Sequence, residues 1–548
     1  MSFPSSFDLT SLNGNNGFVI NGVTSGDESG YSVSRAGDIN NDGVDDLIIG
    51  APQAPGNNGV GASYVVFGSN NKFPASINLS NLNGTNGFVI NGVDSSKLGT
   101  SVSNAGDINN DGIADFIIGA PGGKSGAGYV VFGSNSGFPA NINVTTLNGT
   151  NGFMINGIDY SKSGYAVSSA GDINNDSIDD LLIGAPYKGQ SFVLFGSSNG
   201  FPANVSLSAL DGSNGFKLTD VNSGYFSYSL SGTGDINGDK IDDFIIGNPT
   251  RGVGGVSYVV FGSNHTFPAN IDLSALNGTN GFILNAALYN DGFGCAVSGA
   301  GDINKDGIAD FIIGAYNAPG GNSIGESYII FGTSNGFPAT MSPSDLDGQN
   351  GFTIKGSETA RQFGYAVSSL GDINEDGIDD VVIGSPNAGG SYKGASYIVF
   401  GSKSGFQANM TTSSLNGSNG YKIVGLEDTR SGAAVSDAGD INGDGKSDVI
   451  IGAPGDSPFA PVSVTMGISY VVFGGIPLSS PTPTASANPT SPLPTHTSSP
   501  EYNAAGLLTP NYVISSIYNV ATEVGEILPF DSMSILNGLL NEINFESF

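Results

Sequence analysis

The chain has 548 residues, 85 of them Gly, only 12% charged, and a formal net charge of −32. So acidic a sequence, with 17 Lys and Arg in all, lacks the clustered cations that nucleic acid and anionic membrane surfaces require. A single cysteine, Cys295, excludes an internal disulfide framework, and no run of 18 apolar residues is available for direct membrane insertion.

The N-terminus, MSFPSSFDLT, has neither the basic region nor the apolar core of a signal peptide. From residue 16 four strand signals follow in order: NGFVINGV at 16–23, GYSVS at 30–34, DLIIGAP at 46–52 and ASYVVFG at 62–68. The first alternates, whereas the third and fourth are apolar on both faces and are stopped by Gly and Pro. Strands covered on both sides imply sheets stacked face to face.

The unit then recurs. GDINNDGVDDLIIGAP, residues 37–52, has six further copies, anchored on Asp38, Asp107, Asp172, Asp235, Asp302, Asp372 and Asp440 at spacings of 69, 65, 63, 67, 70 and 68. Seven four-stranded antiparallel sheets, none able to bury both faces alone, satisfy one another when set radially around an axis. The expected fold is all-β, a seven-bladed β-propeller over residues 1–476. The chain opens with the strand that elsewhere ends a blade and stops, at SYVVFGG, with the strand that should precede it. Residues 3–22 are therefore expected to complete the last blade, locking the ring by N- and C-terminal strand closure.

Beyond the ring the composition changes. Residues 477–500 are rich in Pro, Ser and Thr, which predicts an extended linker. Residues 501–548 carry apolar side chains spaced by three or four, which predicts a short amphipathic helical tail. No Lys or Arg follows Lys446, so the tail is expected to dock on its own ring or to mediate self-association rather than to lie on a membrane.

Each repeat places oxygen-bearing side chains at loop positions 1, 3, 5 and 9, with a main-chain carbonyl available at position 7. In chain order these sets are Asp38, Asn40, Asp42, Val44 and Asp46; Asp107, Asn109, Asp111, Ile113 and Asp115; Asp172, Asn174, Asp176, Ile178 and Asp180; and Asp235, Asn237, Asp239, Ile241 and Asp243. The last three are Asp302, Asn304, Asp306, Ile308 and Asp310; Asp372, Asn374, Asp376, Ile378 and Asp380; and Asp440, Asn442, Asp444, Lys446 and Asp448. Three carboxylates, an amide oxygen and a carbonyl make a hard all-oxygen cage suited to Ca²⁺, less so to Mg²⁺. An EF-hand begins in the same way but closes with Glu at position 12. Here that position is Ile in every copy, within a strand. A Gly at position 6, such as Gly43, permits the turn that wraps the loop. Ser177 and Lys240 replace it in the third and fourth copies, where weaker binding is expected. The loops supply 21 of the 49 acidic residues, and seven bound Ca²⁺ would bring −32 to −18.

The repeat resembles the FG-GAP family, whose Phe-Gly and Gly-Ala-Pro elements stand here as Phe67-Gly68 and Gly50-Ala51-Pro52. The resemblance covers residues 3–475. Linkers such as FPASINLSNLNGTNGF, residues 73–88, are similar to the bacterial-type versions. It implies a propeller like that of integrin α subunits, Ca²⁺ held structurally by the loop positions just named, and an extracellular or cell-surface setting. All seven copies keep the loop, where integrin α propellers usually have it in only some blades.

No catalytic constellation stands out. His265 and His496 accompany no nucleophile arrangement, and a cage filled by protein oxygens lacks the open position of a catalytic metal. The expectation is a non-enzymatic module for adhesion or protein binding; a glycan-binding lectin or a structural surface or matrix component is the alternative. By strand order the loops share a face with the FP linkers. On the opposite face, which integrins use to engage partners, Tyr160, Tyr187, Tyr225, Tyr289, Tyr316, Tyr392 and Phe459 are candidate contacts for a protein or glycan ligand. Cys295, at a place where other copies carry Tyr31, Thr100 or Tyr165, is expected to be buried and unreactive.

Overall fold

Two adjacent isoleucines show why the blades stack. In the computed structural model, which describes residues 3–475 except 221–225, 253, 358 and 456–465, all six residues of strand Asp46–Ala51 are buried. Leu47 and Ile49 face one neighbour and join Phe18, Ile450 and Val471, while Ile48 faces the other and joins Val102, Phe116 and Ile118. Because successive strand side chains alternate between faces, an uninterrupted apolar run serves two interfaces at once. Seven such clusters form the core.

The result is a seven-bladed β-propeller. In the first blade the order from the axis outward is Ser32–Gly37, Asp46–Ala51, Ala62–Val66, Gly87–Asn91 and Asn141–Asn143. The first four are antiparallel, as expected. The fifth is an addition that the sequence did not signal. It belongs to the linker of the following repeat and lies parallel on the fourth strand, pairing Asn141 with Val89 and Asn143 with Asn91. Being three residues long and mostly exposed, it has no apolar run to betray it. Every FP linker thus straps its own blade to the one before. The Phe of each FP pair drives the seating: Phe138 stacks on Phe88 at 4.6 Å between ring centroids, and Phe201 on Phe153 at 4.3 Å.

Ring closure uses one antiparallel strand and one such strap. Gly17–Asn21 pairs antiparallel with Ile468–Val472, supplying the fourth strand of the last blade. Ser6–Asp8, however, lies parallel on Gly420–Val424 of the sixth blade, with Phe3 stacked on Tyr421 at 5.3 Å. Residues 3–22 therefore divide between two blades instead of completing one, because the N-terminal segment carries a strap as well as a strand.

By internal contacts the chain separates into units Met1–Thr482 and Pro483–Phe548. The expected linker and helical tail lie outside the described residues. Among those described, no helix is long and apolar enough to cross a membrane.

Candidate functional site

The acidic loops join the innermost strand of each blade to the second, on the face that also carries the FP linkers. Their backbone is the same in all seven copies. In the first, Asp38 accepts the N–H groups of Asp42 and Gly43 at 2.9 and 2.8 Å, and Asp42 accepts that of Val44 at 3.0 Å. Asp46, fully buried, accepts from Ile39 at 3.1 Å and from Gly68 at 2.8 Å. That last bond ties the Phe-Gly element to the loop and recurs through Gly133, Gly196, Gly262, Gly332, Gly401 and Gly474. Gly43 has φ +88° with open space where a Cβ would stand, so the backbone angle alone selects glycine. Ser177 and Lys240 adopt φ 68° and 72° at the same position. They keep the loop closed at a cost of roughly 1 kcal/mol each.

Among the described residues no three His, Cys, Asp or Glu side chains converge as a metal-holding group. The fit of a cation rests instead on mixed donors. Asn40, Asn109 and Asn174 each bury an Oδ1 with no hydrogen-bond partner, and a buried acceptor left without a donor is costly. Each sits at loop position 3, between the Asp residues of positions 1 and 5. In the other loops Asn237, Asn304 and Asn442 turn the same oxygen to the position-5 N–H, and Asn374 donates to Asp380. The side chain of Lys446 reaches Glu375 of the neighbouring loop at 2.7 Å. An all-oxygen set of two outer carboxylates, an orphaned amide oxygen and a buried carboxylate is chemically suited to Ca²⁺.

The buried position-9 carboxylates make a pH prediction. Burial pushes Asp46 up to about 8; the Gly68 and Ile39 N–H bonds oppose the rise, and the charges of Asp42 and Asp38 add to it. Asp115, Asp180, Asp243, Asp310 and Asp380 behave alike. A carboxyl whose folded pKa is raised contributes stability that is complete below its unfolded value, about 4, and is lost as pH rises through about 8. The chelated protein should therefore melt at progressively lower temperature as pH goes from 5 to 8 and change little above that. Ca²⁺ binding at pH 7 should also release protons, seen as binding heats that differ between buffers of different ionisation enthalpy. Identical heats would contradict the assignment.

The opposite face opens into a cavity of about 550 Å³ on the axis. Seven equivalent residues, each seven before a loop Asp, ring it: Tyr31, Thr100, Tyr165, Tyr228, Cys295, Tyr365 and Ala433. Tyr165 and Tyr228 lie 5.2 Å apart between centroids, and Tyr316 meets Tyr365 edge-on at 5.9 Å. Tyr31 and Tyr228 are 43% and 38% exposed. Glu28, Gln362 and Arg430 add polar groups to the wall. Burial raises the Tyr165 hydroxyl to about 12 and those of Tyr31 and Tyr228 beyond it, so these three hydroxyls are neutral at physiological pH. Cys295 is buried and its Sγ donates to the Gly364 carbonyl, in keeping with an unreactive thiol. A larger crevice, about 820 Å³, lies under the linkers near Phe201 and His265. Smaller copies of it recur at equivalent linkers, so it is a by-product of the repeat, whereas the axial cavity is lined by one residue set from every blade.

Of the aromatic residues expected on this face, Tyr160, Tyr187 and Tyr289 are exposed at 67%, 55% and 73%. Tyr316 lines the axial cavity. Tyr392 is half-buried and its carbonyl accepts the N–H of Arg430; Tyr225 and Phe459 lie outside the described residues. The sequence reading missed Tyr31, Tyr165, Tyr228 and Tyr365 as a group, although their constant offset from the loop Asp would have aligned them.

The FG-GAP repeat pattern matches residues 29–66, 98–132, 163–200, 293–330, 363–399 and 433–465, each spanning an innermost strand, an acidic loop and the strand that follows it. The chain carries six FG-GAP repeats. The fourth copy, around Asp235, is not among the matched segments, yet it folds as the other FG-GAP repeats do. Similar proteins include human phosphatidylinositol-glycan-specific phospholipase D, 35% identical over 165 residues. Integrin alpha pat-2 of Caenorhabditis elegans is 25% identical over 303 residues, and integrin alpha-5 of Xenopus laevis 28% over 240. These alignments take in 29%, 54% and 42% of this chain but only 18%, 22% and 20% of the respective relatives. The shared part is thus the propeller.

Proposed function

We propose that this FG-GAP propeller is a calcium-stabilised, extracellular or cell-surface module that binds a protein partner at the tyrosine-lined axial mouth and has no catalytic role of its own. The observation that carries the reading is the chemical asymmetry of the two faces. One is crowded with the carboxylates of seven loops. The other offers a concave apolar-aromatic site rimmed by exposed Tyr160, Tyr187 and Tyr289, with Lys97, Lys124, Lys162, Lys188 and Lys393 on its loops. A chain this acidic meets a protein surface most readily where its own charge is balanced, and aromatic side chains around a depression are typical interface anchors. The similarity to integrin α subunits supports a protein ligand. Calcium, filling the loops, would hold the rim residues in fixed relation.

The test is capture from extracellular and surface extracts by the full chain, compared with a Tyr31→Ser/Tyr228→Ser variant. Partner recovery should fall at least about tenfold, as expected for a hot-spot pair, with the melting midpoint changed by only a few degrees. Retention of the partner by that variant would refute the axial site. Recovery of a glycan in place of a protein would favour the lectin alternative.

A further inference from the structure

The residue at loop position 8 does not serve its own loop. Its side chain points across the blade boundary into a notch left by the glycine that precedes position 1 of the previous loop. A Cβ added at Gly439, Gly106, Gly171 or Gly301 would fall 2.1 to 2.3 Å from a carboxylate oxygen of Asp45, Asp179, Asp242 or Asp379 respectively. Those carboxylates accept the main-chain N–H of the first loop residue of the neighbouring blade. Asp440 donates to Asp45 at 2.9 Å, Asp107 to Asp179 at 2.9 Å, Asp172 to Asp242 at 3.0 Å and Asp302 to Asp379 at 2.8 Å. At the other three boundaries the notch faces Ala114, Ala309 or Ser447, none of which carries a charge.

We infer that the position-8 carboxylates are positioning residues that couple calcium loading between neighbouring loops, dividing the ring into linked sets. By these carboxylates blades seven and one form one set, two, three and four the second, and five and six the third, while the Lys446–Glu375 ion pair joins loops six and seven by a different contact. This rests on the calcium reading proposed above. Each carboxylate fixes the residue that supplies the first oxygen of one cage, while its own chain neighbours, at positions 7 and 9, belong to the next cage. Ordering either loop therefore orders the anchor of the other, and the pre-ordered loop loses less conformational freedom when it binds. A cation in the first cage also offsets the repulsion between the position-8 carboxylate and the loop Asp beside it. At the Ala114 and Ala309 boundaries no side chain supplies either term, so carboxylate-mediated loading should not propagate through them.

Hydrogen exchange read by mass spectrometry on the full chain, across a titration of free Ca²⁺, follows each loop separately. In Asp179→Ala the Ca²⁺ needed for half-protection of residues 107–112 should rise about fivefold to tenfold, the worth of one ordinary hydrogen bond at a partly buried site. Residues 302–307 and 372–377 should be unchanged. Asp179→Asn, which keeps an acceptor, should shift less. Conversely, Ala114→Asp should bring residues 38–43 into step with 107–112, a gain that a misfolded variant could not produce. If Asp179→Ala shifts only its own loop 172–180, or shifts all seven equally, and Ala114→Asp links nothing, the coupling is refuted while the calcium reading stands. If no wild-type loop gains protection with millimolar Ca²⁺, both fall.

Discussion

Chelation of divalent cations is expected to lower the melting midpoint of the ring by roughly 20 °C at pH 7.5. At free Ca²⁺ about 100-fold above the site dissociation constant, each ion stabilises the folded chain by about 2.7 kcal/mol. A ring of this length loses about 1 °C per kcal/mol, so seven ions account for the shift. The physical origin is visible in each loop, where a fully buried carboxylate such as Asp46 sits close to Asp38 and Asp42 with only main-chain N–H groups to neutralise it. Calorimetry with Ca²⁺, with Mg²⁺ and with chelator measures the effect. Mg²⁺ should restore little, since it resists dehydration, and an unchanged midpoint on chelation would remove calcium from the account of this fold.

The second large effect concerns the seam. Deleting residues 1–22 should abolish the soluble monomer, because it removes the fourth strand of the last blade and the strap on the sixth together. Strand Ile468–Val472 would then expose an unpaired edge, which recruits other chains. Within the intact chain, Phe18→Ala should cost about 3–5 kcal/mol. Phe18 has no exposed surface and stacks on Phe73 at 4.4 Å and against Phe473 at 5.9 Å. Phe216→Ala, equally buried and stacked on Phe267 at 4.6 Å within an internal blade, should cost a similar amount at equilibrium. Denaturant melts and unfolding rates separate the two: the seam variant should unfold faster, since opening there needs no internal blade to break. A monomeric, cooperatively melting 23–548 chain would show that closure is dispensable.

The sequence by itself determined the number of blades, the order of four strands in each, the position of every acidic loop and the pairing of strand Gly17–Asn21 with the last blade. These are local or periodic properties: alternation of side chains, turn chemistry and a repeat interval survive in one dimension. The resemblance to FG-GAP repeats followed from the same motifs. Only the tertiary structure decided the rest. The fifth strand of each blade comes from the next repeat, and a three-residue segment such as Ser76–Asn78 owes its extended form to the edge it lies on, with no pattern of its own. The axial ring joins seven residues separated by whole repeats. Tyr31, Tyr165, Tyr228 and Tyr365 look like ordinary strand-initiating tyrosines until the propeller closes and turns them toward one point. The same closure carries Asp45 to Asp440, the two ends of the ring, because the geometry of a circle makes neighbours of the first repeat and the last.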